Sequence, residues 1–128
     1  MANPDVAAPP SAFDLEVETL IIGAGACGMI AALAAHEAGQ DVLLLEADAI
    51  PTGSTALSAG LIPAAGTRLQ QDAGISDSRD VFATDIQAKA HHENDNALVA
   101  AMAHTAPQVI DWLVETHGLP FSLSLIHI

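Results

Sequence analysis

Basic residues are almost missing from this 128-residue chain: Arg68, Arg79 and Lys89 stand against 16 acidic residues, for a formal net charge of −13. Binding to a nucleic-acid backbone requires clustered Lys and Arg to neutralise phosphates, so nucleic acid is excluded as an expected partner. An anionic membrane surface is disfavoured for the same reason. Cysteine is nearly absent too. Cys27 is the single one, which rules out an internal disulfide framework and makes a reducing cytoplasm the expected compartment. The amino terminus lacks the basic segment and apolar core of a secretory signal, and residues 1–13, rich in Ala and Pro, read as a flexible tail. Two uncharged stretches, Thr19 to Ala35 and Ala49 to Thr67, lack the continuous apolar run of about 20 residues that a spanning helix needs, because Gly, Pro, Ser and Thr interrupt them.

What is present is apolar. With 51% hydrophobic and 15% charged residues, the composition belongs to a folded domain rather than a disordered segment. EVETLII, Glu16 to Ile22, ends in branched apolar residues like a strand buried on both faces of a parallel sheet. Ala26 to Ala38 is rich in helix formers and stops at Gly39; DVLLLE, Asp41 to Glu46, is a second strand. Strand, glycine turn, helix and strand in that order predict a βαβ unit. From Ala47 to Ser76 no period is visible, and a long functional loop is expected. Helix returns over Ser78 to His92, capped by Asp77 or Ser78, with Val81, Phe82 and Ile86 on one face. A further helix starts near Asn96 and runs through Leu98 and Met102. Thr105-Ala106-Pro107-Gln108 then reads as a fresh start, with Val109, Trp112 and Leu113 as the apolar face and Gly118 as the stop.

Gly23-Ala24-Gly25-Ala26-Cys27-Gly28 is a GxGxxG motif placed between a buried strand and a helix. The first glycine permits a tight turn, the second lets a pyrophosphate approach the backbone, and the third lets helix and strand pack closely. The helix amino end adds free N–H groups and a positive dipole end. Glu46, eighteen residues after Gly28 at the end of the second strand, is placed to accept hydrogen bonds from ribose hydroxyls, with Ala47 beside it. Its charge repels a 2′-phosphate and so disfavours NADP. The fingerprint alone leaves FAD and NAD both open, and with NAD an NAD-dependent dehydrogenase.

Over Leu20 to Thr67 the sequence LIIGAGACGMIAALAAHEAGQDVLLLEAD, followed by TGSTALSAGLIPAAGT, resembles the flavoprotein family of fumarate reductases, succinate dehydrogenase flavoprotein subunits and ketosteroid dehydrogenases. APQVIDWLVETHGLPF, Ala106 to Phe121, continues the resemblance. It implies a Rossmann-like α/β FAD-binding domain, incomplete and accompanied by extra helices, with residues 14–122 as its amino-terminal part. It implies FAD contacts from Gly53, Ser54, Thr55, Ser58, Ala59 and Gly60. Ser54 stands where membrane-bound members carry a flavin-linked histidine, so the implied FAD is non-covalent. Thr52 and Leu61 depart from the family, which has glycine at both positions. The implied activity is a flavin-dependent dehydrogenation or reduction of a carbon–carbon bond, most commonly in a small carboxylate. The family's catalytic groups fall outside this chain, so no catalytic residue is named, and the alternative is a non-catalytic fragment that only binds dinucleotide.

Three further features are read conservatively. Cys27 is a small residue for packing under a pyrophosphate. Adjacent His91 and His92 point different ways on a helix and lack metal-ligand spacing with Glu93. Trp112 is a packing residue. The last six residues, LSLIHI, match a translated library-adaptor sequence, so residues 123–128 are expected to be non-native.

Overall fold

The computed structural model describes residues 12–123. The expected tail, except Ala12 and Phe13, and the expected adaptor segment, except Leu123, lie outside them. The chain divides after Gly60 into two compact units.

The first unit holds β1 (Thr19–Ile22), α1 (Ala26–Glu37), β2 (Val42–Leu45) and the short α2 (Ser54–Leu57). β1 and β2 pair in parallel, with Thr19 opposite Val42 and Ile22 opposite Leu45. Two backbone bonds extend the ladder beyond its ends: the Thr19 N–H donates to the Asp41 carbonyl at 3.0 Å, and the Gly23 N–H to the Leu45 carbonyl at 2.7 Å. α1 ends where Gly39, at φ +82°, lets the chain turn back. The Gly39 and Gln40 N–H groups then bond the carbonyls of His36 and Ala35, a Schellman closure that leaves no frayed turn before β2.

The strands are not buried on both faces as their composition suggests. Ile21 lies under α1, whereas Leu20 is exposed and Ile22 is 83% exposed. One helix covers one face of a two-stranded sheet, and no described element of this unit covers the other.

The second unit is helical: α3 (Arg68–Asp72), α4 (Arg79–Lys89) and α5 (Asn96–Glu115). α5 packs against α4 and α3. Its buried residues Val99, Ala103, Pro107, Ile110 and Leu113 recur every three or four positions, the stripe one side of a helix presents to a core. By length and composition α5 could cross a bilayer, and this stripe gives its apolar character a place to go. Leu98 and Met102 on α5 are exposed, and so is Val81, expected on the apolar face of α4.

Three expectations are corrected here. Thr105 to Gln108 does not start a new helix. α5 is continuous for 20 residues from its Asp95 cap, whose carboxylate accepts the N–H groups of Ala97 and Leu98. Pro107 is fully buried within it. A proline forfeits one backbone bond in mid-helix, but its ring buries like any other apolar group, and the packed stripe carries the helix across it.

The stretch from Ala47 to Ser76 is not without elements either, since α2 and α3 lie in it. α3 has a capping box: Thr67 Oγ1 accepts the Gln70 N–H at 3.2 Å, and Gln70 Oε1 accepts the Thr67 N–H at 3.1 Å and that of Gly66 at 2.7 Å. Gln70 Nε2 reaches Asp77, so every polar atom of this 1%-exposed amide is used. The signal T-x-x-Q followed by Gly74 was present in the sequence.

α4 stops at Lys89 rather than continuing to His92. His91 and His92 adopt φ of 53° and 61°, and their N–H groups close on the Ala88 and Gln87 carbonyls. This is the closure that glycine makes after α1, built from two histidines at some steric cost.

Candidate functional site

All the residues expected at the cofactor belong to the first unit, and their geometry follows from where β1 and β2 end. Gly23 leaves β1 at φ +101°, a conformation that side chains rarely allow. Gly25 precedes α1 in an extended conformation and, having no side chain, contributes no cap. Gly28 sits in the first turn, and a Cβ there would lie 1.9 Å from the Gly23 carbonyl oxygen and 3.3 Å from Ile21 Cγ2. The third glycine is therefore a steric requirement of laying α1 on β1.

Glu46, at the end of β2, is the hub. Its Oε2 accepts the Ala24 N–H at 2.7 Å; Oε1 accepts the N–H groups of Ala47 at 2.8 Å and Asp48 at 3.3 Å. These donors, Ala24 first, hold the carboxyl below the usual glutamate range against a small opposing effect of desolvation. The glycine turn and the end of β2 are thereby joined before any ligand arrives. A carboxylate offers about four acceptor positions, so three backbone donors leave room for a ribose hydroxyl.

α2 brings the second stretch of candidate residues to the same end of α1. Thr55 Oγ1 accepts the Ala26 N–H at 3.0 Å, and a Cβ on Gly25 would lie 3.6 Å from the same oxygen. Gly53 caps α2 with its backbone and Ser54 opens the helix. Ser58 Oγ donates to the Thr55 carbonyl and accepts the Gly60 N–H, closing the turn at Gly60, φ +73°. Ser54, Ser58, Ala59 and Gly60 are exposed and make no hydrogen bond to the glycine turn. The structure thus gathers Ala24, Gly25, Ala26, Glu46, Ala47 and Thr55 through direct contacts, with Gly23, Cys27 and Gly28 in the same turn. Cys27 is exposed in the first turn of α1.

The other candidates belong to the second unit. His91 and His92 form the turn after α4, and among the described residues no group of His, Cys, Asp or Glu is arranged to hold a metal. Trp112, half-buried on α5, packs edge-on against His117 with ring centroids 4.6 Å apart. The Thr55 contact to Ala26 had no signal in the sequence, because 29 residues separate the partners.

The arrangement suits a diphosphate-containing dinucleotide: a helix amino end with a glycine cradle and a carboxylate at the edge of the neighbouring strand. The family described as "FAD binding domain" matches residues 18–127. Among individual proteins, the chain is 34% identical over 110 residues to a urocanate reductase of Eggerthella lenta, covering 86% of the chain and 18% of that protein. It is 32% identical over 108 residues to an NADH:fumarate oxidoreductase of Klebsiella pneumoniae, covering 84% of the chain and 11% of that protein. Among solved structures, a 3-ketosteroid-delta4-(5alpha)-dehydrogenase from Rhodococcus jostii RHA1 superposes with a TM-score of 0.76 at 32% identity, over 88% of this chain and 23% of that one. The chain thus spans less than a quarter of the length of each of these relatives.

Proposed function

The chain belongs to the FAD binding domain family, with FAD as its cofactor, and from that premise we propose that it is the flavin-anchoring portion of an oxidoreductase acting on a carbon–carbon bond. The proposed substrate class is a small carboxylate; a ketosteroid is the second reading, supported by the likeness to the steroid dehydrogenase. The observation that carries the reading is the junction of Glu46 with the glycine turn. It presents a carboxylate to the ribose and the first turn of α1 to the diphosphate from one preformed surface.

FAD bound there would exchange a hydride with substrate at its N5. This chain's residues would do the holding. Glu46 takes the ribose hydroxyls, the N–H groups of the α1 first turn take the diphosphate, and the Gly53–Gly60 segment lies along the cofactor. Non-covalent attachment is part of the proposal, supported by Ser54, a hydroxyl side chain at the position the resemblance assigns to the linking histidine. So is a reducing cytoplasm without nucleic-acid or membrane partners, supported by the free Cys27 and the scarcity of cations.

The test is to extend the reading frame at its source, purify the encoded protein and record its absorbance. A flavin spectrum that leaves with the supernatant on acid precipitation supports the proposal. Flavin retained in the pellet refutes non-covalent attachment, and a colourless protein that binds NAD refutes the flavin reading altogether.

A further inference from the structure

We propose that Thr55 is the missing cap of α1: a positioning residue that docks the Gly53–Gly60 segment onto the diphosphate end of that helix before the cofactor binds. The inference rests on the FAD reading only for its consequence in binding.

A helix begins with backbone donors that have no partner within it, and normally the N-cap side chain satisfies one of them. At α1 that position is Gly25, which cannot do so. Glycine is nonetheless what a close diphosphate approach requires there, so cofactor binding and helix capping place opposite demands on one residue. α3, α4 and α5 face no such conflict, and each is capped by its own N-cap side chain, Thr67, Ser78 and Asp95. In α1 the capping oxygen comes instead from Thr55, at 3.0 Å from the Ala26 nitrogen.

A hydroxyl that accepts a backbone N–H keeps its own proton to donate. Thr55 therefore satisfies a donor that glycine leaves open, and it adds an O–H donor where an anion would meet the first turn of α1. It also fixes the segment, because Ser58 binds the Thr55 carbonyl and carries the Gly60 N–H on the same hydroxyl. The chain from Gly53 to Gly60 is thus tied to α1 through one side chain and one carbonyl of a single residue.

The experiment compares Thr55→Val and Thr55→Ser with the unaltered 128-residue chain, following amide exchange at Ala26 and the ADP-induced shifts of the Gly25 to Gly28 amides. Serine keeps the hydroxyl and valine keeps the shape, so rescue by serine alone identifies the hydrogen bond. The expected result is Ala26 exchange about tenfold faster in Thr55→Val and unchanged in Thr55→Ser, with ADP binding weaker by about tenfold in the valine variant only, the loss of one hydrogen bond to a charged group. Unchanged Ala26 exchange in Thr55→Val overturns the cap. Faster exchange with unaltered ADP affinity overturns its role toward the cofactor. If the unaltered chain shows no ADP shifts at Gly25 to Gly28, the dinucleotide reading fails at this site while Ala26 exchange still decides the cap.

Discussion

The two units of this chain solve the problem of ordering a backbone in different ways. In the second, α5 buries Val99, Ala103, Pro107, Ile110 and Leu113 along one stripe, and apolar burial of that kind stabilises in proportion to area. In the first, Ala24 is the one hydrophobic residue fully buried among those described, while Leu20, Ile22, Leu45 and Leu57 are exposed. What holds the first unit is the β1–β2 backbone ladder, steric fit at Gly28 and the hydrogen bonds of Glu46 and Thr55. The difference teaches that the binding end of this fold is organised by polar contacts. Its apolar faces are left for other surfaces to cover, and an isolated unit with such faces is prone to association.

If the comparison is right, core truncation should hurt the helical unit most. Leu113→Ala is expected to cost about 3 kcal/mol, the usual range for emptying a buried leucine site. Hydrogen exchange should show the loss throughout α4 and α5 and spare Ile21 and Leu44; equal loss in both units would break the distinction.

The converse change is Gly28→Ala. Its Cβ would overlap the Gly23 carbonyl, a backbone atom that cannot rotate away. The expected cost is about 2 kcal/mol, within the range for overpacking, read as lost protection in β1 and α1 with the helical unit intact. A variant whose β1 and α1 amides stay protected would show that the glycine turn is looser than its geometry.

A smaller effect of opposite sign should follow from His91→Gly. His91 holds φ 53° at the end of α4, where glycine would avoid a steric cost of about 1 kcal/mol, partly offset by its greater freedom when unfolded. The urea midpoint of the second unit is expected to rise. A fall would mean that the imidazole makes a contact worth more than the strain.

The mildest test is pH. Backbone donors lower the folded-state pKa of Glu46, so its contribution is present above the ordinary glutamate pKa and lost as pH falls through the depressed folded value. The Ala24 and Ala47 amide shifts should therefore titrate together, below the ordinary glutamate range, and Glu46→Gln should abolish that titration. Two separate midpoints would break the picture of one carboxylate joining the turn to β2.

Legibility differed between the two units. β1, α1 and β2 could be read within a few residues, because a branched apolar run, a glycine fingerprint and a terminating Gly39 are each local signals. That Glu46 comes to the glycine turn was readable as well, since their spacing is set by the strand and helix between them. The helical unit was read less well. Thr105-Ala106-Pro107-Gln108 carries valid start signals and still lies inside α5, and the buried stripe includes Val99, Ala103 and Ile110, while Val109 is half-buried.

By itself, then, the sequence determined the strand–turn–helix–strand order, the glycine cradle and the carboxylate facing it. These depend on backbone sterics and on contacts within a turn or across one crossover. Only the tertiary structure decided that α5 passes unbroken over Pro107, that Gln70 is buried with all its polar atoms satisfied, that Leu20 and Ile22 of β1 are exposed, and that Thr55 caps a helix begun 29 residues earlier. Each of those depends on what packs against a residue from elsewhere in the chain, and neither periodicity nor propensity carries that information.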